Sequence, residues 1–468
     1  MHRLKVLAGA LTLALLLLAG AAFAVDTGSA DFSRYVAFGD SLTAGYSSSA
    51  LSRTFQVNSY PALIYRQATG QTTGFEQPLI SEPGISGLSI CNGSNPPAPC
   101  GILRLVSLSG PTIAPTPGRG VPVNLNLPRA YNNIAVPGAR VHDVLVTRFG
   151  GFHDVVLRND PNHPDQAFTQ LQEGLSLRPT FATLWIGNND VLAAATSGVV
   201  IEGVTLTPLS QFEADFRAIV NAITGSGAKM AIANIPDVTS IPFVTTISRF
   251  VTIPQTGQQV TLIGPNGPLQ AGDFVLLSAS AAIAQGRGIP GSGQPPLADT
   301  DVLSASEVAT IQARLQAYNS VIAAVANEKG AALVDTNTVL RNLATRGINV
   351  GGITYSSAFL TGGVFSYDGV HPTAFGYAYL ANLFIDAIND KFDGEIPLVD
   401  LFPFVFGTSA VTAAATVPTG DKAAEFTDFV FTQDARRSLL LSLGVPTWVV
   451  DGGKPPQQPR HPRRGGKG

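Results

Sequence analysis

Two short stretches carry the side chains from which an acyl-transfer site can be built. The first is Tyr35–Tyr46, YVAFGDSLTAGY. An apolar run, Tyr35–Phe38, reads as a short buried strand and leads straight into Gly39-Asp40-Ser41. Gly39 permits a sharp exit from the strand. A serine on such a turn, opening a helix, has backbone N–H groups around it, and that geometry suits a nucleophile. It also suits a plain helix N-cap, because Asp and Ser both cap helices. A hydroxyl nucleophile needs a base, and the chain has six His. The second stretch, YDGVHPTAFG at residues 367–376, places Asp368 three residues before His371. A turn of that spacing lets the carboxylate accept from one imidazole nitrogen and leaves the other free to take a hydroxyl proton. Pro372 can open the helix that follows. Asp-x-x-His ahead of a helix also occurs as simple capping.

An acyl-transfer site further needs donors for an oxyanion. Gly187-Asn188-Asn189-Asp190 follows the apolar run FATLWI directly, at the carboxyl end of a predicted strand, where open α/β sheets place their sites. The stretch NNIAVPGAR, residues 132–140, supplies Gly138, whose N–H can approach a substrate closely. Each stretch alone also reads as ordinary turn chemistry.

The elements that must hold these residues alternate. Phe181–Ile186 and Lys229–Ile235 read as buried strands. Ser210–Thr224 carries Phe212, Phe216, Ile219, Val220 and Ile223 at helical spacing. Ser304–Lys329 reads as a long helix with Ser304 and Glu307 as a capping box, and Ala331–Asp335 as the next strand. Thr373–Asn389 is the last helix of the series. Strand and helix in alternation predict a parallel central sheet with helices on both faces, a three-layer α/β/α domain. Two Gly/Pro-rich regions, about 74–128 and 241–301, interrupt it and read as loop insertions that shape a cleft. The apolar run Phe274–Ile283 in the second favours an apolar acyl chain, or simply core.

Taken together, FGDSLTAGY, NIAVPGAR, IGNND and DGVHP resemble, in order, the four blocks of the SGNH hydrolases, the GDSL lipase/esterase family. ANIPDVTSIP (residues 233–242) resembles a further family segment between the third and last blocks. The resemblance covers roughly residues 34–389. It implies a flavodoxin-like fold and a serine esterase or lipase. It implies Ser41 as nucleophile, His371 as base and Asp368 as the group that orients it. The oxyanion hole would be Ser41 N–H, Gly138 N–H and the Asn189 side chain. No metal or cofactor is implied. The substrate would be a small-molecule or lipid ester. Deacetylation of acetylated sugars and lysophospholipase action are alternatives on the same site, and a secreted binding protein that kept the fold without the activity is an alternative of another class.

The ends and the composition bound the rest. His2, Arg3 and Lys5, the apolar run Val6–Leu18 and Ala22-Phe23-Ala24 predict a signal peptide cleaved after Ala24, with an uncleaved anchor as the other reading. Export to the periplasm or the medium follows. The two cysteines, Cys91 and Cys100, sit close together in a Pro- and Asn-rich loop, which in an exported chain predicts a disulfide; a pair of free thiols is the alternative. The net charge of −3 on 468 residues, only 13% of them charged, gives no electrostatic case for nucleic acid. His142, His153 and His163, with Asp143, Asp154, Asp160 and Asp165, match no tight metal-ligand spacing and read as a polar loop. Glu213 and Asp215 read as a solvated helix face. Residues 394–453 form a C-terminal extension, an export or assembly element or a helix packed on the domain, and the basic Pro/Gly-rich tail 454–468 is expected to be disordered.

Overall fold

The computed structural model describes residues 25–88, 90–91, 99–107, 110–160, 163–253, 256–406 and 429–455. The expected leader and most of the basic tail lie outside them.

Four parallel strands form the centre: β1 (Tyr35–Gly39), β2 (Phe181–Trp185), β3 (Lys229–Ala233) and β4 (Ala332–Val334), hydrogen-bonded in that order. In register, Tyr35 faces Phe181, Phe181 faces Lys229, and Ala332 faces Ala231. The chain at 132–136 lies along the other edge of β1. Ala37 N–H donates to Asn132 O at 2.8 Å, while Ile134 N–H and Val136 N–H donate to Ala37 O and Gly39 O at 3.1 Å. This puts the stretch that ends in Gly138 beside the strand that ends in Ser41.

The strands are buried on both faces, so their sequences are continuously apolar rather than alternating. Val36, Phe38, Leu184, Met230 and Ile232 point to one side, against helix α4 (Leu209–Gly225) and helix α5 (Ala305–Glu328). Phe212, Phe216, Ile219, Val220 and Ile223 of α4 are all fully buried there. Fully burying one such side chain contributes roughly 1.5–3 kcal/mol. Tyr35, Ala37, Phe181, Trp185 and Val334 point to the other side, against helix α2 (Tyr60–Thr69) and helix α6 (Ala374–Phe392). There Tyr60 stacks on Phe384 with ring centroids 4.4 Å apart. The predicted three-layer architecture is the observed one. Helix α5 starts where its capping box predicts: Ser304 accepts from Glu307 N–H, and Glu307 accepts from Ser304 N–H at 2.8 Å.

The described parts of both predicted insertions are folded. In the first, Cys100–Ser107 and Thr112–Pro117 pair antiparallel, and Cys91 is disulfide-bonded to Cys100 with the Cα atoms 5.4 Å apart. In the second, Phe250–Thr252 pairs antiparallel with Gln259–Thr261. The run Phe274–Ile283 is core: Val275, Leu276, Leu277 and Ala279 are fully buried, so it offers no support for an acyl-chain wall. Asp215 corrects the reading of a solvated face. It is 8% exposed and pairs with His142 Nδ1 at 2.9 Å, while Glu213 does sit at the surface with Arg217. The C-terminal extension packs on the domain through Val430–Phe431 and helix α7 (Gln433–Ser442). Among the described residues, no helix is long and apolar enough to cross a membrane.

Candidate active site

The site forms where β1, β2 and the 132–136 segment all end. Gly39 leaves β1 in a space that admits no side chain: a Cβ there would lie 2.1 Å from Thr43 Oγ1 and 2.5 Å from Trp185 O. A close approach, rather than an unusual φ, therefore demands glycine at this turn. Asp40 is the N-cap of the short helix α1 (Ser41–Ala44), accepting from Leu42 N–H at 3.0 Å. Asp40 does the capping, which releases the Ser41 side chain for other work. The second oxygen of Asp40 accepts from Asn188 Nδ2 at 2.8 Å and ties α1 to the strand-end loop after β2. Burial pushes the Asp40 carboxyl up to about 6.

Ser41 Oγ lies 2.9 Å from His371 Nε2, and His371 Nδ1 lies 2.9 Å from Asp368 Oδ2. Residues 330 positions apart in the chain thus form one hydrogen-bonded series. Asp368 is fully buried and accepts from four further donors: Ser49 N–H at 2.7 Å, His371 N–H at 2.8 Å, Val370 N–H at 2.9 Å and Ser366 Oγ at 3.1 Å. Burial pushes its carboxyl up, but His371 and these hydrogen bonds outweigh that and hold it below the ordinary aspartate value. An ionised Asp368 fixes the proton of a neutral imidazole on Nδ1. Nε2 is then an acceptor for the Ser41 hydroxyl.

Sequence reasoning missed the residues that clamp this series together. Ser47 Oγ donates to Pro372 O at 2.9 Å, and Ser48 N–H donates to Ser366 Oγ at 2.8 Å. Ser48 and Ser49 adopt φ values of +50° and +56°, a left-handed turn that aims the Ser49 amide at Asp368. The signal was visible as three consecutive serines just after the first motif, but it says nothing of a partner 319 residues away. Tyr46 lies against the imidazole, ring centroids 4.8 Å apart. The segment 233–242 also contributes, since Phe243 N–H just beyond it donates to Gly369 O inside the Asp–His turn at 3.0 Å.

Gly138 and Asn189 come together across the neighbouring strand ends. Asn189 Nδ2 donates to Ala139 O at 3.0 Å, one residue past Gly138. Asp190 Oδ2 accepts from Val141 N–H at 3.0 Å, and burial raises the Asp190 carboxyl to about 7. Gly138 has φ +82°, which a side chain would strain. Asn189, Asp368 and His371 are each 0% exposed and Ser41 is 3% exposed, so the set is enclosed. A cavity of about 430 Å³ between β4 and α6, lined by Leu333, Leu383 and Asp386, is remote from this chemistry.

His142 and His153 are not brought to the site, and the His163 side chain lies outside what the structure describes. His142 pairs with Asp215, and His153 sits in its own short helix at Gly150. Asp143 caps helix α3 (Val141–Val146) by accepting from Arg140 N–H at 2.9 Å.

Against solved structures, the chain is similar to a catalytic mutant of Axe2, an acetylxylan esterase from Geobacillus stearothermophilus. Identity is 12%, with 76% of this chain and 93% of that chain covered and a TM-score of 0.33. It is also similar to an extracellular lipase from Streptomyces rimosus, at 16% identity, covering 76% and 98%, with a TM-score of 0.31. Likeness at this level bears on neither substrate nor mechanism. No curated protein matches the chain. The family comparison matches residues 35–384, a span that contains all four motifs and the Ser41–His371–Asp368 series, to GDSL-like Lipase/Acylhydrolase, and the chain belongs to that family.

Proposed function

We propose that this protein is an exported serine esterase that cleaves carboxylic esters through an acyl-enzyme on Ser41. The observation that carries the reading is the continuous series from Ser41 Oγ through His371 to Asp368, with both links at 2.9 Å. His371 Nε2 takes the Ser41 proton as Oγ attacks the ester carbonyl. The tetrahedral oxyanion is met by Ser41 N–H at the start of α1, by Gly138 N–H and by the second N–H of the Asn189 amide. His371 then gives its proton to the leaving alcohol. Water resolves the acyl-enzyme by the same steps in reverse. The N-terminal residues 1–24 and the Cys91–Cys100 disulfide support export.

The test is hydrolysis of p-nitrophenyl esters from acetate to palmitate by the mature chain beside Ser41→Ala. Mass spectrometry of the quenched reaction supplies the second readout. Turnover by the parent, with an acyl adduct on the Ser41 peptide and neither in Ser41→Ala, is the expected result. Turnover that survives Ser41→Ala would refute the assignment. A folded parent inert on every ester would move the reading to acetylated sugars or to a binding role.

A further inference from the structure

The family match ends at residue 384, yet the described chain returns to the site at 429–453. Val430–Phe431 pairs in parallel with Thr112–Ile113 of the first insertion. Phe431 N–H donates to Ser280 Oγ of the second insertion at 2.8 Å, and the Phe431 ring meets Phe243 edge-on at 6.1 Å. Phe429 packs on Phe359 with ring centroids 5.4 Å apart. This segment therefore joins three separate loops at the carboxyl ends of the sheet strands. Helix α7 follows, capped by Thr432 and seated through Leu439, Leu440 and Leu443, each with 0% exposure.

The end of α7 meets the oxyanion side of the site, backbone against backbone. A Cβ placed on Gly138 would lie 2.6 Å from the Ser442 carbonyl oxygen and 3.4 Å from Gly444 N. A Cβ on Gly87 would lie 2.5 Å from Ser442 N and 2.6 Å from Ser438 O. Two glycines of the domain thus let the segment approach to a distance at which no side chain fits between. The Tyr46 hydroxyl, from the ring that packs on His371, is fully buried beside Ser442 and the Gly87 backbone without a well-aligned hydrogen bond. The segment therefore touches the surroundings of both Gly138 and His371, and it does so from outside the part of the chain that is shared with the family.

Resting on the esterase reading above, we propose that residues 429–453 are a cap that forms one wall of the acyl site and restricts this enzyme to esters of short acyl groups. The chemistry is supplied by the family core. The acyl length is set by the backbone of Ser442–Gly444 against Gly138, where a long chain finds no room.

The experiment uses the full mature chain with Leu440→Asp, which places a carboxylate in the apolar seat of α7, and the milder Phe431→Ala. Of the two tryptophans, Trp185 is buried in β2 and Trp448 belongs to the cap, so a red shift of the fluorescence together with an unchanged circular-dichroism spectrum reports unseating of the cap alone. kcat/KM is measured on p-nitrophenyl acetate and octanoate. The parent should favour acetate by at least about 100-fold, the discrimination reached once only two of octanoate's additional methylenes are excluded at ~10-fold or more each. Unseating should lower that ratio by about tenfold or more, through the KM for octanoate, in proportion to the Trp448 shift across the two variants; the rate on acetate should stay within about threefold. A parent that favours octanoate, or an acetate preference that survives the Trp448 shift, would overturn the cap. Acetate and octanoate both untouched by parent and variants would instead bring down the esterase reading, and the cap inference with it.

Discussion

Asp368→Asn tests the site most sharply, because the structure dictates which way the new amide must turn. Oδ1 of Asp368 accepts from three donors, His371 N–H, Val370 N–H and Ser366 Oγ. Oδ2 accepts from His371 Nδ1 and Ser49 N–H. Asparagine keeps one oxygen, and the three-donor end claims it. The NH2 group then faces His371 Nδ1 and donates to it, so the neutral imidazole moves its proton to Nε2 and becomes a donor to Ser41 rather than its base. An exchange that preserves geometry but installs the wrong tautomer lowers kcat by about 10⁴-fold, or ~5.5 kcal/mol on the barrier. The same turn sets the NH2 group against the Ser49 N–H, and a buried donor left unpaired costs about 1–3 kcal/mol of stability. The variant should therefore lose both activity and stability, the first far more than the second. The assays are kcat on p-nitrophenyl acetate and urea unfolding at one pH. A folded Asp368→Asn within tenfold of the parent in kcat would refute the argument that Asp368 acts through the tautomer of His371.

Asn189→Ala removes a side-chain donor while leaving Ser41 and His371 in place. It should lower kcat by about 10²–10³-fold, roughly 3–4 kcal/mol, with little change in KM; a loss expressed in KM alone would place Asn189 in ground-state binding instead. Glu173 is fully buried and accepts from Arg158 N–H at 2.7 Å, and burial raises its carboxyl to about 7. A raised folded pKa means that the folded state holds a proton the unfolded state has released between about pH 4.5 and 7, so stability falls as pH rises through that window, by roughly 3 kcal/mol. Asp40 and Asp190, also raised by burial, add falls of the same sign, so Glu173→Gln should reduce the total fall by the Glu173 share, as read from urea unfolding at pH 5 and pH 8; a pH dependence equal to the parent's would exclude Glu173 as a source.

Local chemistry was legible in the sequence wherever one residue type answers one demand, and illegible wherever two distant segments share a demand. Gly39 illustrates the first case: a strand exit with Thr43 Oγ1 and Trp185 O at contact distance accepts only glycine, and the motif displays it. The layer order follows from apolar runs that have no polar alternation, because a strand buried on both faces leaves no other pattern. Ser49 illustrates the second case. Its contribution to Asp368 is a backbone N–H set by a left-handed φ, and neither is a property of serine as a letter in a string. The insertions were legible only as loops, because Gly and Pro density announces turns but not what the turns pack against. Asp215 was misread for a related reason: its helical position is polar in the sequence, but His142 covers it from another element. The C-terminal segment is the largest case. Leu439, Leu440 and Leu443 announce a helix that must bury one face, but the partner of that face is assembled from distant pieces, Ile85–Ser86 and Thr112–Pro117 of the first insertion and the helix at Asn189–Ser197, and no local pattern names them. A family fold is encoded in local pattern and recurs with its motifs. The contacts of the C-terminal segment lie outside those motifs and join parts of the chain far apart in sequence, and for that reason the proposed limit on acyl length, unlike the fold, has no signature in any single stretch.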